Sequence, residues 1–251
     1  MLAALSSQDW LVVALGAALG GLTRGFTGFG FAMIFMPLAA SVLPPHVALA
    51  VIWAIDAPFA LVLGLRAYRA ADKKGVLTLL AAAALMFPVG LYALIHVDAL
   101  VIRWIISGLV MAAVVILASG WRYHGRPGLP LTLSVGSLSG LFNGLASLSG
   151  LPLALFWLSS QNRQPAEIRA DMQTYFLFST FVSGAILGYR GILTVETLLI
   201  ALSVMPAYGA MLYLGTRGYH MASEATFRRI AYAIVALAAI LSLPALDGWI
   251  R

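Results

Sequence analysis

Apolar segments follow one another along almost the whole chain, and the loops between them are too short to hold a soluble domain. They cover residues 10–23, 31–43, 46–65, 76–96, 99–119, 129–142, 151–160, 172–188, 195–215 and 230–248. Of the 251 residues, 62% are hydrophobic and only 10% charged. A soluble domain carries about 25% charged residues. So little polarity suits an exterior solvated by lipid, and one membrane domain is the simplest reading. The segments are rich in Ala and Leu and lack the alternation of membrane strands, so the expected fold is all-α and polytopic.

Net charge is +6, but the basic residues sit in short loops and form no stripe, which argues against a nucleic-acid partner. The chain has no cysteine, so thiolate metal sites and disulfides are excluded. The first nine residues lack Lys and Arg, so the basic start of a cleavable signal peptide is missing.

A spanning helix needs about 20 residues. Segments 10–23, 31–43, 129–142 and 151–160 fall short and come as consecutive pairs. Each pair is joined by a Gly/Ser-rich stretch, Gly25 to Gly30 in the first and Asn143 to Gly150 in the second. Each pair reads as a re-entrant hairpin with its tip near mid-membrane; the alternative is two full, tilted spans. The halves repeat. Gly21-Leu22-x-x-Gly25 returns as Gly140-Leu141-x-x-Gly144, Pro45 as Pro165, Met86-Phe87-Pro88 as Val204-Met205-Pro206, and Arg103-Trp104-Ile105 resembles Arg228-Arg229-Ile230. Residues 1–128 and 129–251 then form two repeats of five segments. An odd number emerges on the opposite side, so the second is inverted. With both termini outside, eleven of the fifteen basic residues fall in inner loops, among them Arg66, Arg69, Lys73, Lys74, Arg122, Arg126, Arg163 and Arg169. Arg103, Arg190 and Arg251 lie outside. This positive-inside bias places the termini in the periplasm of a bacterial inner membrane.

Broken helices in inverted repeats bind substrate near the midplane. The unpaired N–H groups that start a second half-helix, with the helix dipole, make an anion site. Here those starts lie near Phe31 and Leu151. Gly25, Thr27, Gly28, Gly30, Asn143, Gly144, Ser147, Ser149 and Gly150 are the candidate lining residues, although glycines and serines also serve close helix packing. Packing is the preferred role for Gly16, Gly20 and Gly21. Arg24 is the one basic residue at membrane depth and contacts either substrate or Asp56. Asp56 is the only acid in the middle of a span, either a proton-coupling group or half of an ion pair. Gln173 and Thr174 are within reach of the cavity; Asp171 stabilises the start of the matching helix. His46 and His96 fall at outer helix ends and His124 and His220 in inner loops; Trp10, Trp121 and Trp249 are interface anchors. No enzymatic motif, cofactor site or metal cluster appears.

The run Gly21-x-x-x-Gly25-Phe26-x-Gly28-x-Gly30 followed by Pro37, repeated in weaker form from Gly140 to Pro152, resembles the TauE/SafE sulfite exporter (TSUP) family over essentially the whole chain. The resemblance implies transport of sulfite, sulfonates and related organosulfur or carboxylate anions, with Gly25, Gly28 and Gly30 at the cavity. In the second tip Ser147 and Ser149 stand where the first has glycine. The expected function is a secondary transporter of a small anion by alternating access, in the export direction, with a proton as candidate coupling ion. A monomer or a homodimer is expected. An anion channel is the alternative within transport, and a membrane enzyme or scaffold the alternative outside it.

Overall fold

The computed structural model describes residues 5–119, 128–158 and 164–218, with three isolated positions further on. Segment 230–248 therefore lies almost wholly outside the described residues, as do Trp121, Arg122, His124, Arg126, Arg163, His220, Arg228, Arg229, Trp249 and Arg251.

Among the described residues there are nine helices and no strand: α1 (Ser7–Thr27), α2 (Phe31–Val42), α3 (Pro45–Ala67), α4 (Lys73–His96), α5 (Ala99–Ala118), α6 (Leu129–Ala146), α7 (Gly150–Leu158), α8 (Pro165–Tyr189) and α9 (Val195–Gly218). Six are long and apolar enough to cross a membrane: α1, α3, α4, α5, α6 and α9. The chain is a polytopic all-α membrane protein. Leu11, Leu85, Val101, Trp104, Phe181, Leu202 and Tyr213 are large, apolar and exposed, a surface that lipid solvates.

Two of the four short segments are longer helices than their apolar runs. α1 has 21 residues and α6 has 18. A capping box of Ser6 and Asp9 starts α1 three residues before its apolar run. At the other end both helices continue through polar and small residues, Thr23 to Thr27 and Asn143 to Ala146. Backbone hydrogen bonding carries a helix on where hydropathy stops. Only α2 (12 residues) and α7 (9 residues) are half-length. The first seven residues of α2 are all buried, as expected of a helix that is apolar all round.

Exchanging α1–α4 with α6–α9 maps the packing onto itself. α1 packs on α9 as α6 packs on α4, α3 on α9 as α8 on α4, α1 on α2 as α6 on α7, and α3 packs on α8. The halves are thus interlocked. Glycines set these contacts. An added methyl at Gly21 would strike the Tyr208 carbonyl and one at Gly25 the Leu212 carbonyl, both on α9; at Gly140 and Gly144 it would strike Ala83 and Phe87 on α4. Small residues four apart let backbones touch in lipid. Position 119 residues on is the equivalent along α1 and α6. Along α4 and α9 the matching contacts pair Ala83 with Tyr208, Phe87 with Leu212 and Gly90 with Gly215, each 125 apart. The sequence match of Pro88 with Pro206 is 118 apart, so it is two turns out of this register. Carbonyls that fit beneath glycines set the register, and the prolines do not.

Candidate anion site

The two helix breaks face each other. α1 ends at Gly28, with φ 84°, and α2 begins after Gly30, with φ 95°. Both dihedrals lie where side chains rarely go, which explains glycine there. The equivalent of Gly28 is Ser147, the one described non-glycine residue with positive φ, at 57°. Ser149, the equivalent of Gly30, has no such φ, so serine there is unstrained. An added methyl at Gly150 would lie 3.2 Å from Phe29 Cβ, so the first tip touches the start of α7.

Between the breaks lies a cavity of about 60 Å³. At roughly 10–15 Å³ per water-sized centre it holds a few waters or a small ion. Its walls are the start of α2 (Phe31, Ala32, Met33), the start of α7 (Gly150, Leu151), Gly30, Asn143, Ser147 and Ser149, and faces of α3 and α8. Two charged residues line it, Arg24 and Asp56. Asp56 is the twelfth of the 23 residues of α3, about 17 Å along it and so midway along that candidate span.

Arg24 Nη1 lies 2.9 Å from Asp56 Oδ2, with the side chains 6% and 17% exposed. Arg24 Nε and Nη2 are buried and have no hydrogen-bond partner. The guanidinium carbon sits 4.9 Å from the centre of the Phe176 ring, a cation–π contact that holds its plane. Tyr208 Oη donates to Asp56 Oδ1 at 2.6 Å. Asp56 is thus engaged on both oxygens, whereas Arg24 has spent one of its N–H groups.

The second half supplies neutral polar groups. Asn143 stands where Arg24 stands in the first half, and its amide donates to Ser179 Oγ at 3.1 Å. Ser179, Thr180 and Ser183 of α8 join it in the wall. Ser139 Oγ donates to the Ser149 carbonyl at 3.1 Å and lies 2.9 Å from Tyr175 Oη, which pins the second tip.

Arg24, Gly30, Asp56, Asn143, Ser147, Ser149 and Gly150 come together on the cavity. Gly25 and Gly144 do not line it, since their missing side chains point at α9 and α4. Thr27 folds back on its own tip: its hydroxyl lies 2.9 Å from the Thr23 carbonyl and accepts from Phe29 N–H at 3.2 Å. Gln173 supports the tip from beneath, its amide donating to the Gly28 carbonyl at 3.3 Å. Thr174 is buried beside it. Asp171 is not at a helix start: Gln164 and Glu167 cap α8, and Asp171 is buried, accepting from Asp72 N–H at 2.8 Å.

Sequence reasoning missed Trp53, Phe176, Tyr208 and the hydroxyls of α8. The hydroxyls left a signal: Ser179, Thr180 and Ser183 share one face of an apolar helix at i, i+1 and i+4. The charge pattern places Arg169 in an inner loop. It lies in α8 and donates to the carbonyls of Gly25 (2.8 Å) and Phe26 (3.3 Å), satisfying the C-terminal end of α1.

The sequence matches a known family. The model of the family described as "Sulfite exporter TauE/SafE" matches residues 13–242, nearly the whole chain. The chain belongs to the TauE/SafE family. That family is one of transporters, so the cavity lies in a multi-pass membrane protein of a transport family. No curated protein and no solved structure matches the chain.

Proposed function

We propose that the chain is a secondary transporter of one small anion, with sulfite and organosulfonates as the leading substrates, working by alternating access in the bacterial inner membrane. The observation that carries this reading is Arg24. It is a buried guanidinium on a mid-membrane cavity, with Nε and Nη2 unpartnered and adjacent on one edge. That edge carries two parallel donors without a partner, the geometry that a planar or tetrahedral oxyanion fits. The start of α2 opens on the same cavity with the backbone N–H groups of Phe31 and Ala32, whereas at the start of α7 Leu151 N–H already bonds the Leu148 carbonyl and Pro152 has none. Membership of the family supports a sulfite-like substrate.

The packing exchange between α1–α4 and α6–α9 supports two repeats, residues 1–128 and 129–251, with opposite orientation. In such proteins one repeat rocks against the other around the site. The basic residues at the α3–α4 turn support a cytoplasmic side there and periplasmic termini. A bare anion made in the cell leaves down the inside-negative potential, by about 2.3 kcal/mol per charge per 100 mV. An anion that moves with a proton follows its own gradient and that of the proton. Asp56 is the candidate coupling group.

The test is flux in proteoliposomes with sulfite, methanesulfonate, sulfate and a dicarboxylate. Saturable flux of one of the first two, lost at least a hundredfold in Arg24→Ala protein that still purifies as a folded species, is the expected result. Equal flux of all four, or undiminished flux in Arg24→Ala, contradicts the assignment.

A further inference from the structure

The formal charges on the cavity cancel before anything enters it. Arg24 and Asp56 are its ionisable lining residues and they face each other at 2.9 Å. Asp56 is also faced by Tyr208 from α9, at 2.6 Å. The residues that α2, α6, α7 and α8 present to the cavity are apolar, amide or hydroxyl. At each break the end of one helix and the start of the next bring partial charges of opposite sign. Arg169 answers the carbonyls at the end of α1 and does not line the cavity. A monoanion entering alone would therefore add an uncompensated negative charge at mid-membrane depth, which is expensive. Its site on Arg24 would also be shared with a carboxylate that already occupies Nη1.

We propose that the anion and one proton occupy this cavity together, the proton on Asp56. This rests on the transport reading above and names its coupling. The proton adds to Asp56 Oδ2, the neutral carboxyl releases Arg24 Nη1, and the guanidinium passes from its internal carboxylate to the transported anion. On the other side the anion and the proton leave, and Asp56 returns to Arg24. Both forms that reorient, empty and loaded, are then neutral in formal charge. Transport of a monoanion is electroneutral, one proton per anion. Tyr208 is a positioning residue that keeps Asp56 aimed at Arg24 in the empty form.

The test uses the full chain in proteoliposomes with methanesulfonate, which stays a monoanion near neutral pH and carries no proton of its own, and with sulfite as a second probe. The potential is clamped independently of pH. For one-to-one coupling the steady-state anion ratio across the membrane shifts about tenfold per pH unit and does not respond to voltage. An uncoupled monoanion would instead shift about fiftyfold per 100 mV and ignore pH. Asp56→Asn mimics the protonated form permanently: it should keep anion-for-anion exchange while net flux falls at least tenfold. Asp56→Glu should restore coupled net flux. A voltage-driven, pH-independent wild type overturns the proposal and leaves the transport reading standing. So does Asp56→Asn protein with coupled net flux. If that variant is inactive in both modes, the wild-type ratios alone decide. No flux of either probe in the wild type overturns both readings.

Discussion

At the scale of single residues, Arg24 and Asp56 tie stability to function. Removing one member of a buried ion pair strands the other charge and costs about 3–5 kcal/mol, whereas replacing both with neutral groups is far milder. Arg24→Ala should therefore lower the melting temperature in detergent clearly. Arg24→Ala combined with Asp56→Asn should recover most of that loss without recovering anion flux. Equal destabilisation in the single and double variants would mean that the 2.9 Å contact contributes nothing. The pair was half legible in the sequence. Arg24 and Asp56 stand out because charges inside apolar segments are rare, and that rarity fixes their depth. Their mutual contact was one of two open alternatives, since hydropathy carries no helix rotation. Tyr208 left no signal at all. A tyrosine in an apolar helix is ordinary, and only the packing of α9 on α3 brings its hydroxyl to Asp56.

At the scale of elements, glycine ladders hold the interlocked halves. Gly136, Gly140 and Gly144 of α6 lie against the Leu79, Ala83 and Phe87 carbonyls of α4. A methyl at Gly140 overlaps backbone that cannot move aside, so Gly140→Ala should destabilise by about 1–3 kcal/mol. Gly108 in α5 has nothing within 4 Å of an added methyl. Gly108→Ala should leave the melting temperature unchanged or raise it, because alanine is the better helix former. Thermal melts of the two variants in one detergent check both statements; matching losses would contradict the ladder. The same geometry explains what the sequence concealed about helix length. Gly25, Asn143 and Gly144 read as tip residues because they are small or polar. In the structure they are the last turns of α1 and α6, with the glycines facing a partner helix. Small residues favour turns and close packing alike, so composition could not separate those roles. Gly28 and Gly30 were separable only through their positive φ, which is a backbone property.

At the scale of the whole molecule, the two breaks meet once, and the polar groups are divided unequally between the halves. The first contributes the charges, Arg24 and Asp56, and the second contributes Asn143 and hydroxyls. An exchange of helices that maps the packing onto itself but leaves the site chemically lopsided fits a carrier whose two faces share one binding centre. The matching glycine contacts of α1 and α6 were visible in Gly21 to Gly25 and Gly140 to Gly144. The shifted register of α4 and α9 was not, because apolar helices offer many equally good local matches.

Because the chain contains no cysteine, a single introduced thiol reports one position cleanly. Such a thiol tests whether the cavity between the breaks is the anion site and opens to both sides. Ser147→Cys, confirmed to transport, should be labelled by a membrane-impermeant thiol reagent added to either face of oriented vesicles. Sulfite or methanesulfonate should slow that labelling severalfold, and Arg24→Ala should remove the protection. Labelling from one face under every condition, or labelling indifferent to the anion, would contradict the account.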